Sequence, residues 1–220
     1  MGVLPRRGRL SRSGGGRELI DGISSWWTCL HGHGHPRLVE AMQRQARELD
    51  HVLFAGCTHE PAGALAEELV AVAPAGLTRV FFSDNGSTAV EVALKMAYQR
   101  WCHLGEPQRT TFVALEGAYH GDTFGAMSVG DPDPFFSAFA PLLVSAQRVP
   151  ADVAALESAL ESVAERAAGV ILEPLVQAAA GMRMHTEDFL RAVRRACDRA
   201  GVPLIADEVF TGFGRTGALF

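Results

Sequence analysis

The stretch Thr111–Leu115, TFVAL, running into Glu116-Gly117-Ala118-Tyr119-His120-Gly121-Asp122-Thr123, decides the reading of this chain. A short apolar run without polar alternation predicts a strand buried on both faces, the habit of parallel sheets covered by helices. The glycine-rich turn that follows marks the strand's C-terminal end, where open α/β sheets bind their ligands.

Outward from this stretch the same alternation repeats. Arg79–Ser83 (RVFFS) predicts a strand halted by Asp84-Asn85-Gly86, and Ser87–Leu104 predicts a helix. Ala151–Ala168 carries Val153, Leu156, Leu160 and Val163 at helical spacing, and Gly169–Glu173 (GVILE) predicts a strand stopped by Pro174. Glu187–Ala200 predicts a helix ended by Gly201, and Pro203–Asp207 (PLIAD) a last strand running into carboxylates. Strands of about five residues alternating with helices of about 10–18 residues argue for βαβ units. The expected fold class is therefore α/β, a mostly parallel sheet with helices on both faces. In the N-terminal third, Glu18–Trp27 (ELIDGISSWW) predicts a strand with a bend, and Thr28–His35 a Gly/His-rich turn. Pro36 opens a helix reaching about Leu49, and Pro61–Ala73 predicts another. Three segments are expected: a basic, disordered start over 1–17, an N-terminal wall over 18–60 and the sheet domain over 61–220.

Of the 220 residues 48% are apolar, too many for a disordered chain. No run of about 18 uncharged apolar residues could cross a membrane. Residues 1–17 carry five arginines and no acid, so the net charge of −5 conceals an acidic body of −10. That body lacks the clustered cations a nucleic-acid surface requires. The four cysteines, Cys29, Cys57, Cys102 and Cys197, form no CxxC pair; they argue for a reducing compartment and against zinc. With no apolar stretch of a secretory signal, the expected location is the cytoplasm. Lys95 is the single lysine.

Three strand ends carry chemistry. Gly86, Ser87 and Thr88 open a helix, where free N–H groups and hydroxyls can receive a phosphate; an ordinary helix cap is the competing reading. Tyr119 and His120 sit between glycines, and Tyr119 can stack on a flat heterocycle or serve as a structural loop residue. Asp207 can pair with a cationic nitrogen or cap a turn. His31, His33 and His35 lie among mobile glycines with no Cys or carboxylate inside the run, and read as turn residues with no metal bound. A held phosphate, a covered ring face and an acid at the ring nitrogen together suit pyridoxal 5'-phosphate.

The strings Asp21–Trp27 with the following HGHGHP, the Gly86-Ser87 turn, Tyr119–Ser128 (YHGDTFGAMS), Glu173-Pro174, Gly181–Met184 and Asp207–Gly217 (DEVFTGFGRTG) resemble the class III aminotransferases, from about Glu18 to Phe220. The resemblance implies the large domain of a fold-type-I enzyme with part of a small N-terminal domain, a homodimer in the full-length family. It implies that Gly86 and Ser87 bind the phosphate of pyridoxal 5'-phosphate, that Tyr119 stacks near its ring, and that Asp207 pairs with its nitrogen. Trp26, Tyr119 and Arg215 would meet substrate. The Ser-Ser-Trp-Trp pair and YHGDTFGAMS are most similar to the branch serving biotin biosynthesis, which aminates 8-amino-7-oxononanoate to 7,8-diaminononanoate with S-adenosylmethionine as donor. An enzyme for ω-amino acids or ornithine, and a non-catalytic fragment, are the alternatives. The family's Schiff-base lysine lies beyond the DE…GFGRTG segment and has no counterpart among these residues. The polypeptide is accordingly expected to be an inactive N-terminal portion.

Overall fold

A computed structural model describes residues 3–4, 8, 10–13, 17–132, 136–144 and 146–220. Contacts divide the chain into two units, Met1–Ala71 and Val72–Phe220. The boundary puts nearly all of the second N-terminal helix with the first unit, whereas the sequence assigned it to the sheet domain.

In the first unit, β1 (Val3–Leu4), β2 (Leu10–Ser13) and β3 (Glu18–Ile20) form an antiparallel sheet in that order. Leu10–Arg12 pair with Glu18–Ile20 within the start expected to be disordered, and a ladder satisfies backbone groups whatever the side-chain charge. β3 also ends sooner than the expected Glu18–Trp27 strand, because the chain turns at Asp21. A four-residue turn, α1 (Ser24–Trp27), follows, with positive φ at every residue. Such conformations cost L-residues about 1–2 kcal/mol each, and Asp21 offsets this by accepting from both the N–H and the hydroxyl of Ser25. The helices α2 (Pro36–Glu48) and α3 (Glu60–Val72) complete the unit, Pro36 occupying the first turn as expected.

The second unit holds a parallel sheet of β5 (Ala146–Val149), β4 (Thr111–Leu115), β6 (Ala167–Leu172) and β9 (Leu204–Ala206), in that spatial order. All six residues of β6 are buried, so both faces of this central strand are covered. The cover comes from α4 (Gly86–His103), the short α5 (Phe124–Val129), α6 (Val153–Ser162) and α7 (Glu187–Ala200). α4 contributes Val90, Leu94, Ala97 and Trp101 to the core. The Trp101 indole N–H donates to Ala168 O of β6 at 2.7 Å, tying helix to sheet. α7 starts on Thr186, which accepts from Phe189 N, and stops at Gly201 in the left-handed conformation (φ 67°) that glycine adopts without penalty. A short hairpin, β7 (Val176–Gln177) with β8 (Arg183–Met184), follows β6.

One expected strand is corrected. Among the described residues Arg79–Ser83 joins no ladder. The sheet ends at β5 on one side and β9 on the other, so this apolar run has no strand beside it and Phe81 stays 64% exposed.

Candidate active site

Because β4, β6 and β9 are adjacent and parallel, their C-terminal ends share one edge of the sheet, and the chemistry collects there. Asp207, one residue past β9, is buried, as is His120 in the loop after β4. His120 Nδ1 lies 2.6 Å from Asp207 Oδ2, a contact that passes over the end of β6. The other oxygen of Asp207 accepts from Val209 N at 3.1 Å. Glu173, just past β6, is also buried and accepts from the backbone N–H of Tyr119 (3.1 Å) and of Ala178 (2.9 Å). Burial pushes the Glu173 carboxyl above the ordinary carboxylate range against the pull of those two N–H groups.

The neighbouring Tyr119 is half-buried and stacks on Phe136 with ring centroids 5.9 Å apart. Its hydroxyl donates to Asp122 at 3.0 Å. Burial first, and the bond to Asp122 second, push the phenol up to about 12.

The N-terminus of α4 reaches the same loop. Asn85 and Thr88 form a reciprocal cap: Asn85 Oδ1 accepts from Thr88 N, and Thr88 Oγ1 from Asn85 N. The N–H groups of Gly86 and Ser87 precede the first intrahelical bond and stand at the positive end of the helix. Ser87 Oγ accepts from Thr123 N and donates to Thr123 Oγ1. Gly121, at φ +120°, allows this approach, since a Cβ there would lie 2.3 Å from Ser87 Oγ. Gly86 in turn packs against Val209, two residues beyond Asp207; a Cβ on Gly86 would come within 2.8 Å of Val209 Cγ2. Of the residues singled out in the sequence, Gly86, Ser87, Tyr119 and Asp207 are thus brought to one edge.

These groups fit a ligand with an anionic phosphate and a cationic ring. Helix N–H groups suit the phosphate. Asp207 is a buried carboxylate that, among the described residues, meets N–H donors and no Lys or Arg, and a buried charge of that kind favours a cation.

The other singled-out residues lie elsewhere. Arg215 turns back, its Nε donating to Phe210 O and its guanidinium 4.9 Å from the Phe210 ring. Trp26 belongs to the first unit, 58% exposed and stacked on Trp27. Lys95 is exposed on α4 and lines a pocket with Phe112 and Ala146, residues paired at the N-terminal ends of β4 and β5, opposite the Asp207 edge. Of the histidine run, His33 Nε2 is 2.8 Å from Asp21 Oδ2 and braces the α1 turn. Sequence reasoning assigned no role at this edge to Glu173 or Thr123 and left His120 without a partner. Glu173 carried a signal, a carboxylate closing an all-apolar strand, the same feature that marked Asp207.

The profile of the family described as aminotransferase class-III matches residues 6–220. The chain belongs to the class III aminotransferases. The match takes in most of the basic start, which the resemblance had left unmatched. A Synechococcus elongatus relative named adenosylmethionine-8-amino-7-oxononanoate aminotransferase is 56% identical over 93% of this chain and 51% of its own length. A Mycobacterium leprae relative of the same name is 47% identical over 96% of this chain and 50% of its own length. The chain therefore spans about half the length of the curated relatives it matches. Among solved structures, that of the Methanocaldococcus jannaschii enzyme of this name superposes with a TM-score of 0.95 at 38% identity, covering 99% of this chain and 51% of the other. A PLP-bound amine transaminase of an uncultivated Pseudomonas species gives 0.91 at 33%, covering 99% and 54%. This class III chain thus carries the parallel sheet and helices of fold-type-I aminotransferases.

Proposed function

We propose that this class III chain is the cofactor-holding part of a cytoplasmic aminotransferase of biotin biosynthesis that moves the amino group of S-adenosylmethionine to 8-amino-7-oxononanoate. The observation that carries the reading is the buried Asp207 at a strand end beside the α4 N-terminus, in a chain 56% identical to a relative bearing that name. Pyridoxal 5'-phosphate, bound there, supplies an electron-accepting ring for cleavage at the carbon bearing the amine. Gly86 and Ser87 donate N–H groups to the phosphate. Asp207 keeps a proton on the ring nitrogen through its opposite charge. Tyr119 covers the ring and borders substrate, and its raised phenol stays protonated, so it serves as a hydrogen-bond donor. Trp26 and Arg215 contribute to substrate recognition, Arg215 toward a carboxylate. Lys95 is not the cofactor's lysine. In full length the enzyme is a homodimer.

The test joins residues 1–220 to the remaining half of the Synechococcus elongatus relative. The chimera should form 7,8-diaminononanoate with S-adenosylmethionine as donor. Faster turnover of an ω-amino acid or ornithine would overturn the substrate assignment. On the 220-residue polypeptide, borohydride should fix no pyridoxyl group to Lys95.

A further inference from the structure

We propose that Cys29 is a modification site, a thiol that exchanges with small disulfides while His33 takes up its proton. Three side chains of the first unit line up for that step, none of them used by the cofactor reading. Cys29 Sγ lies 3.7 Å from His33 Nδ1, and His33 Nε2 lies 2.8 Å from Asp21 Oδ2. The backbone N–H of Ser25 first, then its hydroxyl and His33, lower Asp21 to about 2, so the carboxylate is ionised at neutral pH. An ionised carboxylate only accepts, so Nε2 carries the proton of the neutral ring. Nδ1 is then bare, and the proton between it and Cys29 is the thiol's own.

The backbone keeps the ring beside the sulfur. Gly32 N donates to Cys29 O at 3.1 Å, which folds His33 back toward the thiol, and His33 exchanges both backbone bonds with Gly8. Gly32 sits at φ +76°, where a Cβ would lie 2.8 Å from Gly8 C, so this turn requires glycine. Thr28 Oγ1, 4.0 Å from Sγ, donates to Ser25 O and has no second proton for sulfur. A shared metal ion does not account for the cluster, because thiol and carboxylate meet opposite nitrogens of the ring. The other thiols are set differently. Cys57 is exposed, Cys102 is hydrogen-bonded to the Tyr98 hydroxyl, and burial pushes Cys197 up to about 11. Among the described residues only Cys29, itself half-buried, has an imidazole in hydrogen-bond reach. In the exchange His33 Nδ1 accepts the thiol proton, Sγ attacks one sulfur of the disulfide, and that S–S bond breaks as the new one forms. The departing thiolate takes the proton back from Nδ1, so Cys29 is oxidised and one small thiol is released.

The experiment incubates the 220-residue chain with excess hydroxyethyl disulfide, a small uncharged probe, at neutral pH and follows the mixed disulfide at each cysteine by peptide mass mapping. Cys29 should react about fivefold faster than the more open Cys57, a gain of the size that a neighbouring base gives a thiol. His33→Phe should bring Cys29 to the Cys57 rate or below while Cys197 stays protected, the sign that the fold is kept. His33→Gln, which can still donate to Asp21 but brings no base to the sulfur, should slow Cys29 as much. A wild-type Cys29 that reacts no faster than Cys57 would overturn the proposal, and that comparison needs no variant to fold. So would an unchanged Cys29 rate in either variant with Cys197 still protected.

Discussion

Nδ1 of His120 and Oδ2 of Asp207 lie 2.6 Å apart although 87 residues separate them in sequence. The contact makes Asp207 part of the fold as well as of the site, and the two roles separate by substitution. Asp207→Asn keeps one oxygen to accept from Val209 N, turns an amide N–H toward His120 Nδ1, which accepts it as the other tautomer, and removes the charge. It should leave the urea midpoint close to wild type and abolish turnover in the chimera. Asp207→Ala leaves two N–H groups without an acceptor and should cost about 1–3 kcal/mol of stability. Near-normal turnover of the Asn variant would remove Asp207 from its assigned role.

Tyr119 is one of only two tyrosines, so its ionisation can be followed alone in a Tyr98→Phe background. Phenolate absorbance should fail to develop as pH passes the ordinary value of 10 and rise only toward about 12. Asp122→Asn should bring the step down, because the acceptor that stabilises the phenol has lost its charge. Ionisation near 10 in the unmodified loop would mean that Tyr119 is neither buried nor bonded as described.

Two glycines with positive φ separate strain from collision. Gly201→Ala meets open space at φ +67° and should cost about 1 kcal/mol, the penalty of a left-handed L-residue. Gly121→Ala drives a methyl into Ser87, including its Cα at 2.8 Å, and should cost about 3 kcal/mol. Comparable losses in chemical denaturation would show that Ser87 gives way.

The α1 turn should respond to acid. The backbone N–H of Ser25 first, then its hydroxyl and His33, lower Asp21 from 3.8 to about 2. A depressed carboxyl stabilises fully above its unfolded value and loses that contribution as pH falls through the folded one. Near-ultraviolet dichroism of the stacked Trp26–Trp27 pair should therefore change as pH falls from about 4 toward 2. Asp21→Asn should abolish the change; its persistence in that variant would assign it elsewhere.

What was legible in the sequence was whatever is local. TFVAL and Glu187–Ala200 are the observed strand and helix to the residue, because unbroken apolarity and a Thr cap with a Gly stop are written in the chain. β5 was not, since an edge strand half open to solvent can read Ala-Gln-Arg-Val. RVFFS has the same apolar signature as TFVAL, yet a ladder depends on a neighbour that no single segment encodes. At the site, the residues at strand ends were visible as types. The pairings His120–Asp207, Ser87–Thr123 and Tyr119–Glu173 span 87, 36 and 54 residues and arise only from strand order.

The position of β9 at the end of the sheet also orders events on the ribosome. As the chain emerges, α4 and the β4 loop are complete long before residue 207 is made. Until β9 docks on β6, through bonds such as Asp207 N to Leu172 O, His120 has no acid to face. Nascent chains arrested before this point should show secondary structure without ring-nitrogen discrimination, and ligand selectivity should arise in a single step once residue 207 has emerged.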